Sequence, residues 1–327
     1  MDNFSLYENN IIKNTISSMI LKDRIVNSLL IYGEKGLGKK TAADYIAASV
    51  LCESEKGVPC GSCKSCRMIL HRTHPDVIYA VAGGKSSNYK IDTFREIVQN
   101  APVMPNEGKF KVYIIADMDN TLVTAQNALL KLIEEPPDHC IIILTASSRS
   151  SLLPTIVSRV VSLPVHEVSN DSCVQALLSY NYDSDSIKEA VETLGGNIGR
   201  CKNYLDNDSI VDAVKTTKSI TDAIISCDEY LMLRELSELI GDKPMTVLVL
   251  NLICEVLRDA MSASAGCDEK ILISTYKQGA IKLSESISKM KARKLYFVVT
   301  KYIDRINSNG NLNLALNALC SEIKEIL

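Results

Sequence analysis

Four cysteines, Cys52, Cys60, Cys63 and Cys66, fall in the short stretch LCESEKGVPCGSCKSC with the spacing C-x7-C-x2-C-x2-C. Thiolates two residues apart converge on one cation, and four of them complete a tetrahedral zinc shell. A closed shell leaves no position for water or substrate, so the expected metal is structural Zn2+, not a catalytic ion. Disulfide pairing is the alternative, and redox compartment weighs on it. The N-terminus MDNFSLYENN has no basic region followed by an apolar one, and no run reaches the apolar length of a membrane span. A cytoplasmic chain with no membrane contact is therefore expected, in which clustered cysteines bind metal. The other cysteines, from Cys140 to Cys320, are scattered, most of them among apolar residues as small buried side chains.

Gly33 to Lys40 reads GEKGLGKK. The phosphate-loop pattern G-x-x-x-x-G-K-[ST] is met at Gly33, Gly38 and Lys39, with Gly36 as a further glycine inside the loop. Backbone amides of such a loop form an anion nest, and the lysine reaches the terminal phosphates. The last position, where a hydroxyl should hold magnesium, is Lys40. Thr41 comes one residue late, about 100° round the helix. The strand KVYII should end in an acid that holds magnesium, and that position is Ala116, with Asp117 and Asp119 after it. With both protein contributions to the metal missing, hydrolysis should be very slow. Binding of ATP or ADP is expected to be weak or absent.

The elements that would position these residues alternate strand and helix. Ile12, Ile16, Met19 and Ile20 follow helical spacing. SLLIY at Ser28 to Tyr32 reads as a buried parallel strand running into the glycine loop, and a helix follows from Lys39 to Leu51. Further strands are expected at Val77 to Val81, Lys111 to Ala116 and Cys140 to Thr145, with helices at Ile91 to Asn100 and Thr121 to Glu135, the latter stopped by Pro136 and Pro137. The pattern predicts an α/β fold with a parallel sheet covered on both faces. After about Pro164 only helices read well: one set over Asp185 to Asp206, with GGNIG at Gly195 to Gly199 as its turn, then a helical block from Ser209 to the end. In that block Pro244 starts a helix whose stripe is Val247, Leu248, Leu252 and Leu257.

Four longer stretches add to this. LCE-x7-PCGSCKSC followed by HPDV, KVYIIADMDNTLVTAQNALLKLIEEPP, LLPTIVSRV and NGNLNLALNAL occur in order along the chain. With them the sequence resembles, over essentially its whole length, the clamp-loader subunits of bacterial DNA polymerase III, members of the AAA+ class, and most of all their delta-prime type. The resemblance implies an AAA+ domain at 1–165 with a zinc module at 52–66, a small helical lid at 166–208 and an all-α collar for oligomerisation at 209–327. It implies a hetero-oligomeric ring with gamma/tau and delta subunits that loads a sliding clamp onto primed DNA. It makes Arg159, after Ser158, an arginine finger reaching a neighbouring subunit's ATP; the family's cysteine after it is Val160 here. Arg200 would stand at the sensor-2 position and Thr145 or Ser147 at sensor 1. The plainer readings are a surface arginine ending a helix for Arg159 and an ordinary helix-start arginine for Arg200. Missing magnesium ligands with a retained Ser-Arg and a zinc module point to delta-prime, a subunit with no catalysis of its own.

Three rival functions remain. An active gamma/tau-type ATPase is favoured by Lys39 and opposed by Lys40 and Ala116. A small-molecule P-loop kinase would need an acceptor site and a lid arginine cluster, which the helical C-terminal block does not suit. A zinc-dependent nucleic-acid binder would use Lys64, Arg67, His71 and Arg72, in a chain whose net charge is −3.

Overall fold

The structure, a computed structural model, describes residues 4, 6–54, 56–80, 89–267, 272, 274–308 and 311–327. The chain divides into two compact units, one comprising residues up to Ala176 together with Asn197–Arg200, the other Leu177–Gly196 with Cys201–Leu327.

The first unit is built on five parallel strands, β1 (Ser28–Tyr32), β2 (Val77–Tyr79), β3 (Lys111–Ile115), β4 (Cys140–Ala146) and β5 (Val161–Pro164), in the order β2-β3-β4-β1-β5. The inner strands SLLIY, KVYII and CIIILTA are nearly continuous apolar runs because both faces are covered. Alternate residues serve opposite faces. Leu29, Ile31, Val112, Ile114, Ile141 and Ile143 pack with α1 (Asn10–Leu21), α2 (Lys39–Leu51) and α3 (Lys64–Leu70). Leu30, Tyr113, Ile115, Ile142 and Leu144 pack with α4 (Ile91–Asn100) and α5 (Val123–Glu134). The short α6 (Pro154–Val157) precedes β5.

The expected strands and helices of this unit are present, with differences at their ends. The strand expected over Val77 to Val81 ends at Tyr79, and Val81 lies outside the described residues. The helix expected from Thr121 starts at Val123, because Met118–Asn120 first forms a single 3-10 turn. β5 was not anticipated: its sequence VSLP carries a proline, which a sheet tolerates at an edge.

Helices α7 (Asn170–Leu178) and α9 (Ile198–Asp206) each contribute residues to both units. The second unit holds α8 (Ser184–Leu194) and then α10 (Asp208–Ser226), α11 (Glu229–Glu238), α12 (Lys243–Ala263), α13 (Lys277–Ser286), α14 (Lys289–Asn307) and α15 (Leu312–Ile326). Pro244 lies in the first turn of α12, and Asp242 caps that helix by accepting from the Met245 amide. The buried stripe of α12 is not quite the expected one. It runs through Val249, Leu250, Ile253, Val256, Leu257 and Ala260 along with Leu252, while Val247 and Leu248 are only half-buried. The helix is apolar on more than one side, so the sequence alone does not single out its inner face.

Candidate nucleotide site and metal centre

From the end of β1 the chain turns through Gly33–Gly38 into α2. Gly36 (φ 93°) and Gly38 (φ 89°) take left-handed backbone that favours glycine, and Gly38 is the N-cap of α2. Lys39 is buried, and its ammonium donates to the carbonyls of Gly33 (2.7 Å) and Glu34 (2.8 Å). Burial pulls its pKa below the usual lysine range, against the opposing fields of Asp117 and Asp119. A far segment of the same unit closes on the loop. The Asn197 side chain donates to the Lys35 carbonyl (3.0 Å) and accepts from the Arg200 amide (3.1 Å), while the Gly199 amide donates to the Gly36 carbonyl (3.0 Å). A Cβ on Gly199 would stand 2.5 Å from that carbonyl oxygen, and one on Gly36 would run into Asn197. The half-buried Arg200 is thus brought to the loop, whereas Thr41 lies half-buried within α2.

On the magnesium side, the Lys40 ammonium pairs with the Asp117 carboxylate at 2.7 Å. Asp117 itself takes left-handed backbone (φ 55°), and its amide donates to the Thr145 hydroxyl (2.9 Å). Asp119 accepts from the Ser147 amide (2.7 Å) and hydroxyl (2.5 Å). Burial would raise the Asp119 pKa, but the Ser147 donors hold it below the usual carboxylate range. Ala116 offers only its carbonyl, which accepts from the Tyr89 hydroxyl (2.6 Å). Thr145 and Ser147 are therefore engaged with the acids after β3, and the first of those acids carries an ammonium.

Arg159 follows α6 and is exposed. Its Nε meets the Glu134 carboxylate at 2.7 Å, and its Nη1 donates to the Thr155 carbonyl (3.0 Å) and the Ser158 hydroxyl (3.1 Å). These contacts are with α5 and α6, not with the glycine loop. A second tie joins the same elements: buried Gln126 of α5 accepts from the Leu153 amide (3.0 Å) and donates to the Thr121 carbonyl (3.0 Å). Sequence reasoning singled out neither Gln126 nor Glu134, although both lie in the long LVTAQNALLKLIEEPP stretch.

The four sulfurs of Cys52, Cys60, Cys63 and Cys66 lie within 4.8 Å of one another, and all four thiols are free. Backbone amides point at them: Cys60 at the Cys52 sulfur (3.3 Å), Cys63 at that of Cys60 (3.3 Å) and Cys66 at that of Cys63 (3.4 Å). Amide donors of this kind complement sulfurs that hold a cation. The Ser62 hydroxyl and nearby amides lower the Cys60 thiol to about 6, whereas burial pushes Cys66 up. This group could hold a metal ion, and an all-sulfur set suits zinc. Two basic neighbours are already paired, Lys64 with Glu107 (2.6 Å) and Arg72 with Asp44 (3.1 Å), the latter guanidinium also lying over the Tyr79 ring. That leaves less positive charge for nucleic acid than the sequence suggested.

A parallel sheet with β4 between β1 and β3, a glycine loop after β1, acids after β3 and a threonine in β4 define an α/β P-loop domain of the AAA+ class. It carries a four-cysteine insertion and is followed by a helical region. The family described as DNA polymerase III, delta subunit, matches residues 8–169. DNA polymerase III subunit tau of Bacillus subtilis is 36% identical over 45% of this chain, which spans 26% of that protein. DNA polymerase III subunit delta' of the same organism is 23% identical over 94% of this chain and 93% of its own length. Subunit gamma of Buchnera aphidicola from Acyrthosiphon pisum is 27% identical over 88% of this chain and 86% of its own. Over residues 8–169 the chain belongs to the clamp-loader family of DNA polymerase III.

Proposed function

We propose that the chain is the delta-prime-type subunit of a clamp loader. In this reading it assembles with gamma/tau-type and delta-type subunits, hydrolyses little or no ATP itself and lends Arg159 to a neighbour's nucleotide. The ring then loads a sliding clamp onto primed DNA. One observation carries the reading: where magnesium should sit, the Lys40 ammonium lies 2.7 Å from Asp117 and Ala116 offers no carboxylate. Phosphoryl transfer relies on the metal to neutralise developing charge, and a lysine bound to the nearest acid opposes its entry. The end-to-end match to a delta' subunit supports the same assignment. The domains are read as before, an AAA+ domain at 1–165, a lid at 166–208 and a collar at 209–327, with structural zinc on Cys52, Cys60, Cys63 and Cys66.

The test is made on the assembled complex. Arg159→Ala should leave assembly intact, since an exposed arginine carries little stability. It should cut the partner's turnover, because a finger supplied in trans is worth ~10³-fold or more at a single site. The loss in total rate is smaller where several sites contribute. Wild-type turnover and clamp loading in complexes carrying Arg159→Ala would remove the trans-acting role. A second reading, an ATPase of gamma/tau type, is favoured by the gamma subunit that matches over 86% of its length. It requires the isolated chain to hydrolyse ATP and to stop on Lys39→Ala.

A further inference from the structure

Arg159 does not project freely. Its Nε is held at 2.7 Å by Glu134, the last residue of α5, and its Nη1 is held by Thr155 and Ser158. Among the described residues its Nη2 makes no hydrogen bond. These partners differ in kind. The Thr155 carbonyl and Ser158 hydroxyl belong to the arginine's own turn and are neutral. Glu134 comes from another helix and carries a full charge. The pair is open to solvent, with 40% of the Arg159 side chain and 45% of the Glu134 side chain exposed. An exposed pair of this type is weak and exchanges readily. A guanidinium fork matches phosphate oxygens as well as carboxylate, and a triphosphate presents several negative charges where Glu134 presents one.

We propose that Glu134 is a latch on Arg159. It holds the guanidinium against α5 while no phosphate faces it, and yields it to the triphosphate chain of a neighbouring subunit's nucleotide. The inference rests on the trans-acting reading of Arg159 and adds a regulator to it. Glu134 then competes with the nucleotide for the finger. Removing its charge should tighten the partner's use of ATP without supplying any new catalytic group. The carboxylate ends α5, whose Gln126 also holds the start of α6 through the Leu153 amide, so Arg159 keeps its place when only the charge is removed.

The experiment uses the clamp loader reconstituted from this chain and the gamma/tau-type and delta-type subunits of the same organism, with ATP titrated in steady-state turnover. Glu134→Gln should lower the half-saturating ATP concentration about two- to fivefold, as suits an exposed pair. The maximal rate should stay within about twofold of wild type. Glu134→Asp, which keeps the charge, should return half-saturation toward the wild-type value. In an Arg159→Ala background the Glu134→Gln shift should vanish, since a latch has nothing left to hold. A shift that persists without Arg159, or half-saturation that is unchanged or raised by Glu134→Gln, overturns the latch. If Arg159→Ala lowers turnover while Glu134→Gln does nothing, the latch alone fails. If Arg159→Ala is itself silent, the finger fails and the latch with it.

Discussion

Asp76 is fully buried, and its two oxygens accept from the Asn106 amide and side chain and from the amides of Glu107 and Gly108, at 2.5 to 3.0 Å. Its own amide donates to the ring of buried His74 (3.1 Å). Burial alone would raise the Asp76 pKa, but the donors from the Asn106–Gly108 turn outweigh it and hold the carboxyl below its usual range. A carboxylate lowered on folding contributes stability that is present above its unfolded pKa and is lost as pH falls through the folded one. Asp76→Asn turns one acceptor into a donor facing amide donors. It should cost about 2–3 kcal/mol in urea unfolding at pH 7, and it should flatten the loss of stability below about pH 4. An unchanged midpoint would mean the turn is held by something else. The sequence displayed HPDV as a motif, but the donors lie some thirty residues further on, beyond the reach of any local pattern. A separation nearly as long hid the Glu134 contact with Arg159. The glycines, Lys39 and the four cysteines were legible because each set is local and its spacing is its signal.

Elements were readable where period and length agreed. The inner strands are apolar runs bounded by turns, and α2 begins after Gly38, where the loop pattern puts it. β5 is short and ends in proline, and α3 lies within the cysteine stretch, so neither has a periodic signature of its own. Cys63 links α3 to the metal group: its sulfur caps the helix by accepting from the Cys66 amide. Serine keeps a capping oxygen but is a poor zinc ligand, so Cys63→Ser separates the two roles. Freshly purified reduced protein should carry one equivalent of zinc by elemental analysis, and the variant should lose it. Amide exchange should then rise over residues 52–70, since metal binding and local folding are coupled. Metal-free wild-type protein with the same protection as the zinc-loaded form would leave the cysteines without that purpose.

At the scale of the molecule, the sequence placed the change from strands to helices near Pro164, but not the membership of the GGNIG turn. Asn197–Arg200 join the first unit although their chain neighbours on either side belong to the second. Contacts across 162 residues cannot be seen in composition or period. These contacts tie the loop to Asn197–Arg200, and the Lys39 ammonium to the carbonyls of Gly33 and Glu34. A nucleotide must detach the ammonium before it can bind. Thermal unfolding of the isolated chain should therefore be indifferent to ATP with magnesium. A ligand present at a thousand times its Kd would add about 4 kcal/mol, a shift no scan would miss. A saturable rise that Lys39→Ala removes would return the loop to nucleotide binding.

The seating of Gly36 on Gly199 gives two glycines a reason to persist that owes nothing to ATP. Selection acting on shape alone would reject a side chain at either one, and the buried Lys39 is tied to the same loop by its two carbonyls. The magnesium positions have no such second employment. When a subunit stops hydrolysing, the motif should erode from the metal side first and from the packed side last. Lys40 and Ala116 depart from the pattern, while Gly33, where a Cβ would stand 2.6 Å from the Val165 carbonyl oxygen, and the doubly bonded Lys39 still match it. In the delta-prime reading, the half of the loop that still matches would be held by packing rather than by turnover.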